Sequence, residues 1–286
     1  MRIAMLLLGL LIGFSLFADD GMWMPHQIAD LDLGEQGFEC DPDMLFRSDG
    51  RGLMNAVVKL SGATGAFVSP DGLILTNHHV AYRAIQRASD AQHDYLKDGL
   101  VATRAEEIQA LGQMAYVLLG YEDVTAEIKA AVKDKMTYRQ KYDAIDKAKK
   151  KLVKRAEQAD ADSRAEVADI YSGHYYYLFR YKRLLDIRIV LAPPEDLGRF
   201  GGEIDNWMWP RHTCDFTFLR AYVATDGTGA AYSPENVPYQ PTSFLKIALD
   251  GNKNDDLNFV MGYPGRTYRN DTAKEMQQAI DYMAQR

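Results

Sequence analysis

Between Asp19 and about Gly120 the apolar residues fall in short runs broken by turn residues, a mostly β pattern with turns at Ser48-Asp49-Gly50 and Pro70-Asp71-Gly72. The clearest unit is Gly65 to Ser69 followed by Leu73 to Leu75. Proline pre-sets the first corner of the turn between them and glycine supplies the positive φ, so the pattern predicts a β-hairpin. Asn77 is placed to cap a helical turn running through Tyr82 to Arg87, and Asp98 to Ala102 reads as a loop. Thr103-Arg104-Ala105-Glu106-Glu107 has the form of a capping box and predicts a short helix. From about Thr125 to Leu185 the character changes. Ala, Lys, Glu, Arg and Gln dominate, and Ile128, Val132, Met136, Ala144 and Ile145 recur at helical spacing, which predicts a long helix or helical hairpin. Tyr175-Tyr176-Tyr177, Phe179 and Tyr181 would pack such helices onto the β part; an aromatic peptide-binding wall is the alternative. Beyond this zone β structure returns. Strands are expected at Ile187–Leu191, ended by Pro193-Pro194, at Phe216–Val223 and at Leu257–Met261. Asn270 or Asp271, with Glu275 in the first turn or just past it, opens a last helix.

Composition narrows the class. A hydrophobic share of 47% over 286 residues is ample for a packed core. The formal charge of -7 argues against nucleic acid or an anionic membrane as partner. The basic run Lys147, Lys149, Lys150, Lys151, Lys154 and Arg155 does not reverse that, because Glu157, Asp160, Asp162 and Glu166 balance it; a solvated helix face is the better account. With two cysteines, Cys40 and Cys214, the chain is no disulfide scaffold. They could pair in an oxidising compartment, but sequence does not bring them within bonding distance.

Arg2 leads an apolar run, Ile3 to Phe17, which ends in Leu16-Phe17-Ala18 before Asp19-Asp20. This reads as a secretory signal peptide over residues 1–18, cleaved after Ala18, and predicts a periplasmic or secreted protein. The short apolar stretch and abrupt acidic continuation argue against a membrane anchor, and no later segment reads as a membrane span.

The predicted hairpin runs directly into Thr76-Asn77-His78-His79, so a sheet-fixed strand delivers a histidine pair to its end. Asp215, at the entrance of the Phe216–Val223 strand, could orient an imidazole or be an ordinary acidic turn residue. Trp207 and Trp209, read alone, are more often core residues than binding residues. Other chemistries fit poorly. His78 and His79 are adjacent and project differently, and no His-Glu-x-x-His occurs, so no metal is expected. Gly201-Gly202 lacks the helix and lysine of a phosphate cradle, and Cys214 lacks a familiar activating base. No cofactor is expected.

The Asn77-His78-His79 motif together with Asp205-Asn206-Trp207-Met208-Trp209-Pro210-Arg211-His212 resembles the S46 family of bacterial serine dipeptidyl-peptidases. Gly21-Met22-Trp23-Met24-Pro25 and Val260-Met261-Gly262-Tyr263-Pro264-Gly265-Arg266-Thr267 fit the same family in the same order. The resemblance implies a mainly β fold with a helical insertion: a chymotrypsin-like (trypsin-like) double β-barrel, here its first half. Residues 19–266 would form that part, with the helical insertion at about 125–185, and 267–286 would begin a large inserted helical domain. It also implies roles. His79 would be the catalytic base, Asp215 its orienting carboxylate, and Asn206 with Trp207 the anchor for the free amino terminus of a peptide substrate. His78 would be structural, and Asp205 and Glu203 would add negative charge beside the anchor. Where related barrels follow the histidine with cysteine, Val80 stands here.

The family's nucleophile belongs to a Gly-Asn-Ser-Gly-Ser-Pro-like motif, and this sequence contains none. Ser61 and Ser172 sit in ordinary Ser-Gly turn dipeptides. The expectation is therefore the first catalytic half of an exported serine dipeptidyl-peptidase, inactive alone and, by resemblance, a homodimer when complete. The alternative is a non-catalytic periplasmic peptide-binding protein derived from such an enzyme. Half a barrel that exposes strand edges makes a poor stand-alone binder.

Overall fold

The computed structural model describes residues 22–284 except 36, 48–50, 161, 203–209, 255 and 266–271. The signal-peptide reading, the Ser48-Asp49-Gly50 turn, Asn206, Trp207, Trp209 and the caps Asn270 and Asp271 lie outside the described residues. After 3₁₀ turns at Pro25–Asp30, Pro42–Met44 and Leu53–Ala56, the chain forms β1 (Val57–Leu60), β2 (Ala63–Phe67), β3 (Leu73–Thr76), α1 (His78–Ala88) and α2 (Tyr95–Asp98). Next come β4 (Leu100–Val101), β5 (Ile108–Gln109), β6 (Ala115–Asp123), α3 (Thr125–Ala130), α4 (Tyr138–Ala159), β7 (Ser163–Ile170), β8 (Tyr175–Leu184) and β9 (Asp186–Ala192). The last elements are α5 (Glu195–Gly198), β10 (Thr217–Val223), β11 (Val237–Pro238) and α6 (Ala273–Ala284).

The strands make one antiparallel sheet in the order β4-β9-β10-β3-β2-β1-β6-β8-β7, with β5 on β9 and β11 on β10. It curls, because both halves of that path face one core. Val58, Leu60, Phe67, Ile74, Leu184, Ile187, Ile189 and Leu219 pack there with Ala81 and Ile85 of α1. Each large apolar side chain removed from water contributes roughly 1.5–3 kcal/mol, so this cluster holds the sheet shut. The β2–β3 hairpin forms as its turn chemistry predicts. Ser69 Oγ accepts from the amides of Asp71 and Leu73, and Gly72 adopts φ 68°.

A smaller core joins α3 and α4 to the β7–β8 hairpin through Ile128, Leu152, Ala165, Tyr176 and Leu178. Thr137 and Gln140 form a reciprocal capping box that starts α4. Lys149 pairs with Asp169, Lys150 with Asp146 and Arg155 with Glu127, so these members of the basic run are neutralised locally.

Several expectations are corrected. The zone from 125 to 185 is helical only as far as Ala159; Ser163 to Leu184 is a β-hairpin carrying the aromatic run. Charged side chains hid the alternation of β7, while the aromatics of β8 favour a pleated surface. Glu106 Oε2 accepts from both the amide and the hydroxyl of Thr103, which is half of a capping box, yet no helix follows. Glu107 is drawn inward to Arg220 (2.8 Å) and Tyr222 (2.6 Å), which leads the chain into β5. Leu257–Met261 forms no strand among the described residues, and Val260 is fully exposed. Helix α6 is opened by Thr272, whose hydroxyl accepts from the Glu275 amide. Cys40 and Cys214 are both exposed free thiols.

Candidate active site

Strand β3 hands the chain to α1 through Asn77, which stays extended (φ -78°, ψ 150°), so His78 and His79 are the first two helical residues. Their amides lack partners within the helix. Asn77 does not cap them with its own side chain. Asp215, brought from far along the chain, accepts from the second of them. Thr76 pairs with Thr217 in the β3–β10 ladder, and extending that antiparallel register past the strand ends sets Asp215 against the histidine pair.

One carboxylate then meets both parts of His79. Asp215 Oδ1 accepts from the His79 backbone amide at 3.0 Å, and Oδ2 lies 2.7 Å from ring Nδ1. Negative charge at the start of a helix is also favoured by the helix dipole. The Asn77 side-chain amide donates to the Asp215 carbonyl at 3.0 Å and to Oδ2 at 3.3 Å, so the acid is gripped from two sides. The carboxylate is 11% exposed and the imidazole 59%. A carboxylate accepting at Nδ1 requires the Nδ1–H tautomer, and this leaves the Nε2 lone pair free to take a proton. This is the geometry of a general base held by an orienting acid.

The segment before Asp215 is pinned to the short helix α5. The Cys214 amide donates to the Leu197 carbonyl (2.9 Å), and the Thr213 hydroxyl donates to the carbonyls of Gly198 (3.0 Å) and Leu197 (3.3 Å). Beneath lies His78, with no exposed surface. Neither of its ring nitrogens has a hydrogen-bond partner of full geometry, although the Pro193 carbonyl is near enough to favour the charged ring. Burial dominates and pushes the His78 pKa below the ordinary value, against the pull of Asp215 and Glu195.

Of the residues singled out from sequence, the structure brings His79 and Asp215 together; Asn206 and Trp207 lie outside the described residues. Two contributors were not anticipated in these roles: Asn77, as a donor to Asp215, and Gly198, as a close neighbour of His78. An amide beside a histidine pair was a signal for the first, whereas nothing local marks Gly198. Among the described residues, no group of three or more His, Cys, Asp or Glu is arranged to hold a metal ion. No helix of the described residues is long and apolar enough to cross a membrane.

Comparison with known proteins finds relatives over nearly the whole chain. A family model described as Peptidase S46 matches residues 18–286. The chain is 40% identical over 288 residues to an Asp/Glu-specific dipeptidyl-peptidase of Shewanella putrefaciens, covering 99% of this chain and 39% of the relative. It is 39% identical over 278 residues to a dipeptidyl-peptidase 7 of Porphyromonas gingivalis, covering 94% and 39%. Among solved structures, that of Porphyromonas endodontalis DPP11 in complex with the dipeptide Arg-Glu superposes with a TM-score of 0.81 at 37% identity, covering 91% of this chain and 39% of the other. The chain thus spans about two fifths of the length of these relatives.

Proposed function

Since this chain belongs to the peptidase S46 family, we propose that it is the histidine- and aspartate-bearing part of a serine dipeptidyl-peptidase that releases dipeptides from peptides with a free amino terminus. The observation that carries the reading is the 2.7 Å contact between His79 Nδ1 and Asp215 Oδ2. His79 Nε2 removes the proton of a serine hydroxyl supplied from outside these residues, as that oxygen attacks the second peptide carbonyl of the substrate. Asp215 holds the ring and stabilises the imidazolium. The same proton passes from Nε2 to the leaving amine as the C–N bond breaks, leaving an acyl-serine that water hydrolyses. Asn206 and Trp207, by the family motif, bind the substrate's α-ammonium. The curled sheet around one core supports a further part of the reading, that this is the first half of a chymotrypsin-like double barrel. The apolar run after Arg2 supports export.

The test is hydrolysis of dipeptidyl-coumarin substrates, with amino-blocked versions beside them. The assay compares this chain with a fusion completed by the remaining portion of the Shewanella putrefaciens relative. Hydrolysis by the fusion alone, dependent on the free amine and abolished by His79→Ala, is expected. A well-folded fusion with no activity would sink the peptidase reading. Activity of the short chain that is lost on His79→Ala would place the nucleophile within it.

A further inference from the structure

We propose that the buried His78 ring is a positioning residue, a spacer that sets the distance between the start of helix α1 and the Leu197–Gly198 turn and thereby seats Asp215 on His79. The inference rests on the His79–Asp215 reading of the site and adds a residue that touches no reacting group.

Four observations meet at this ring. It has no exposed surface. On one side a Cβ built on Gly198 would stand 2.6 Å from its Cγ and 2.8 Å from Cδ2 and Nδ1, so only glycine lets that backbone lie against the imidazole. On another side Tyr82 meets it edge-on, with centroids 6.2 Å apart at 75°. Tyr82 is itself held by its hydroxyl's bond to Glu195 (3.4 Å), by the Arg199 guanidinium over its ring (5.4 Å), and by the Arg199–Glu195 pair (3.2 Å). Finally, the backbone that the ring supports carries the carbonyls bound by Thr213 and Cys214, the two residues before Asp215.

A histidine there is costly. A buried imidazole whose nearest acceptor, the Pro193 carbonyl, makes no hydrogen bond of full geometry destabilises a fold, and an apolar residue of similar size would avoid that. The ring's service is geometric: it transmits the position of α5 to the carboxylate through rigid contacts. The charged groups around it are Asp215, Glu195 and Arg199. Gly198 does not occupy the left-handed region, so alanine suits its backbone and the clash with His78 is what Gly198→Ala introduces.

The experiment is long-range proton–nitrogen NMR of this chain, reading the His79 tautomer and its downfield Nδ1 proton. The wild type should show the Nδ1–H tautomer. Gly198→Ala should shift His79 toward the Nε2–H tautomer and remove the downfield proton. His78→Ala should do so in part, by loosening the seat. The double variant His78→Ala/Gly198→Ala should be no worse than His78→Ala alone, because the added methyl then meets an empty place. Additive damage in the double variant, or an undisturbed His79 in Gly198→Ala, would overturn the spacer role. If Gly198→Ala does not fold, recovery of folding in the double variant is the expected result, and failure of both overturns the proposal. A wild type without the Nδ1–H tautomer would instead strike the site reading itself. The two failures are therefore separable.

Discussion

Asp215 holds His79 twice with one carboxylate, its Oδ1 on the backbone amide and its Oδ2 on the ring. The two oxygens are not interchangeable, and this determines what an amide in their place would do.

In Asp215→Asn the carbonyl oxygen has to stay on the His79 amide, which can only donate. The new NH₂ group then faces Nδ1 and forces the ring into the Nε2–H tautomer, with the wrong nitrogen protonated. The completed enzyme should lose activity by roughly 10³–10⁴-fold, with little change in fold. Steady-state kinetics of the fusion protein check this; a loss under about tenfold would count against the pairing.

His78 gives acid sensitivity a definite sign. Its pKa is lowered in the folded chain by burial, so below the ordinary value of about 6.5 the unfolded chain binds more protons. Stability should therefore fall as pH drops through about 6.5 toward the depressed folded value, and stay unaffected by this group above it. Urea midpoints between about pH 7.5 and about pH 5 should fall more steeply for the wild type than for His78→Leu. Parallel curves would contradict the assignment.

Gly72 occupies φ 68°, and a Cβ there would stand 2.7 Å from the Tyr239 carbonyl and 2.9 Å from that of Ala221. Both neighbours are backbone, so neither can step aside cheaply. Gly72→Ala should lower stability by about 1–3 kcal/mol from the dihedral alone, with the clash adding to it. A denaturation midpoint equal to the wild type would show that the turn relaxes.

Cys40 and Cys214 are exposed and unbonded. Both should react with a chromogenic thiol reagent in the native, unreduced protein. Thiols that appear only after reduction would mean that the pair is bridged.

How far the sequence reached depended on the range of the signal. The Pro70-Asp71-Gly72 hairpin, the strand that follows Asp215 and the start of α1 are legible because turn chemistry and strand pattern act within a few residues. The His79–Asp215 contact spans 136 positions, and no spacing rule reaches that far; the strand entrance made Asp215 a candidate, and the family resemblance paired it with His79. The β7–β8 hairpin reads as helix in sequence because Arg164, Glu166, Lys182 and Arg183 give it the composition of a solvated helix. Leu257–Met261 has the pattern of a strand but no ladder, since a strand also needs a partner edge. Gly198 was silent, because its value lies entirely in the ring across from it.

The outer hairpin joins the main core without a flexible neck. Strand β6 starts in one core at Ala115 and Val117 and continues outward along β8, while β8 passes into β9 across the single residue Leu185. The ladder slips between Leu118 and Gly120, and a bulge of this kind bends the strand locally. Mechanically the lobe is a cantilever. A load at the Tyr171–Gly173 tip would travel as bending and twist down β8 into β9, and from there to its neighbour β10, at whose root Asp215 stands.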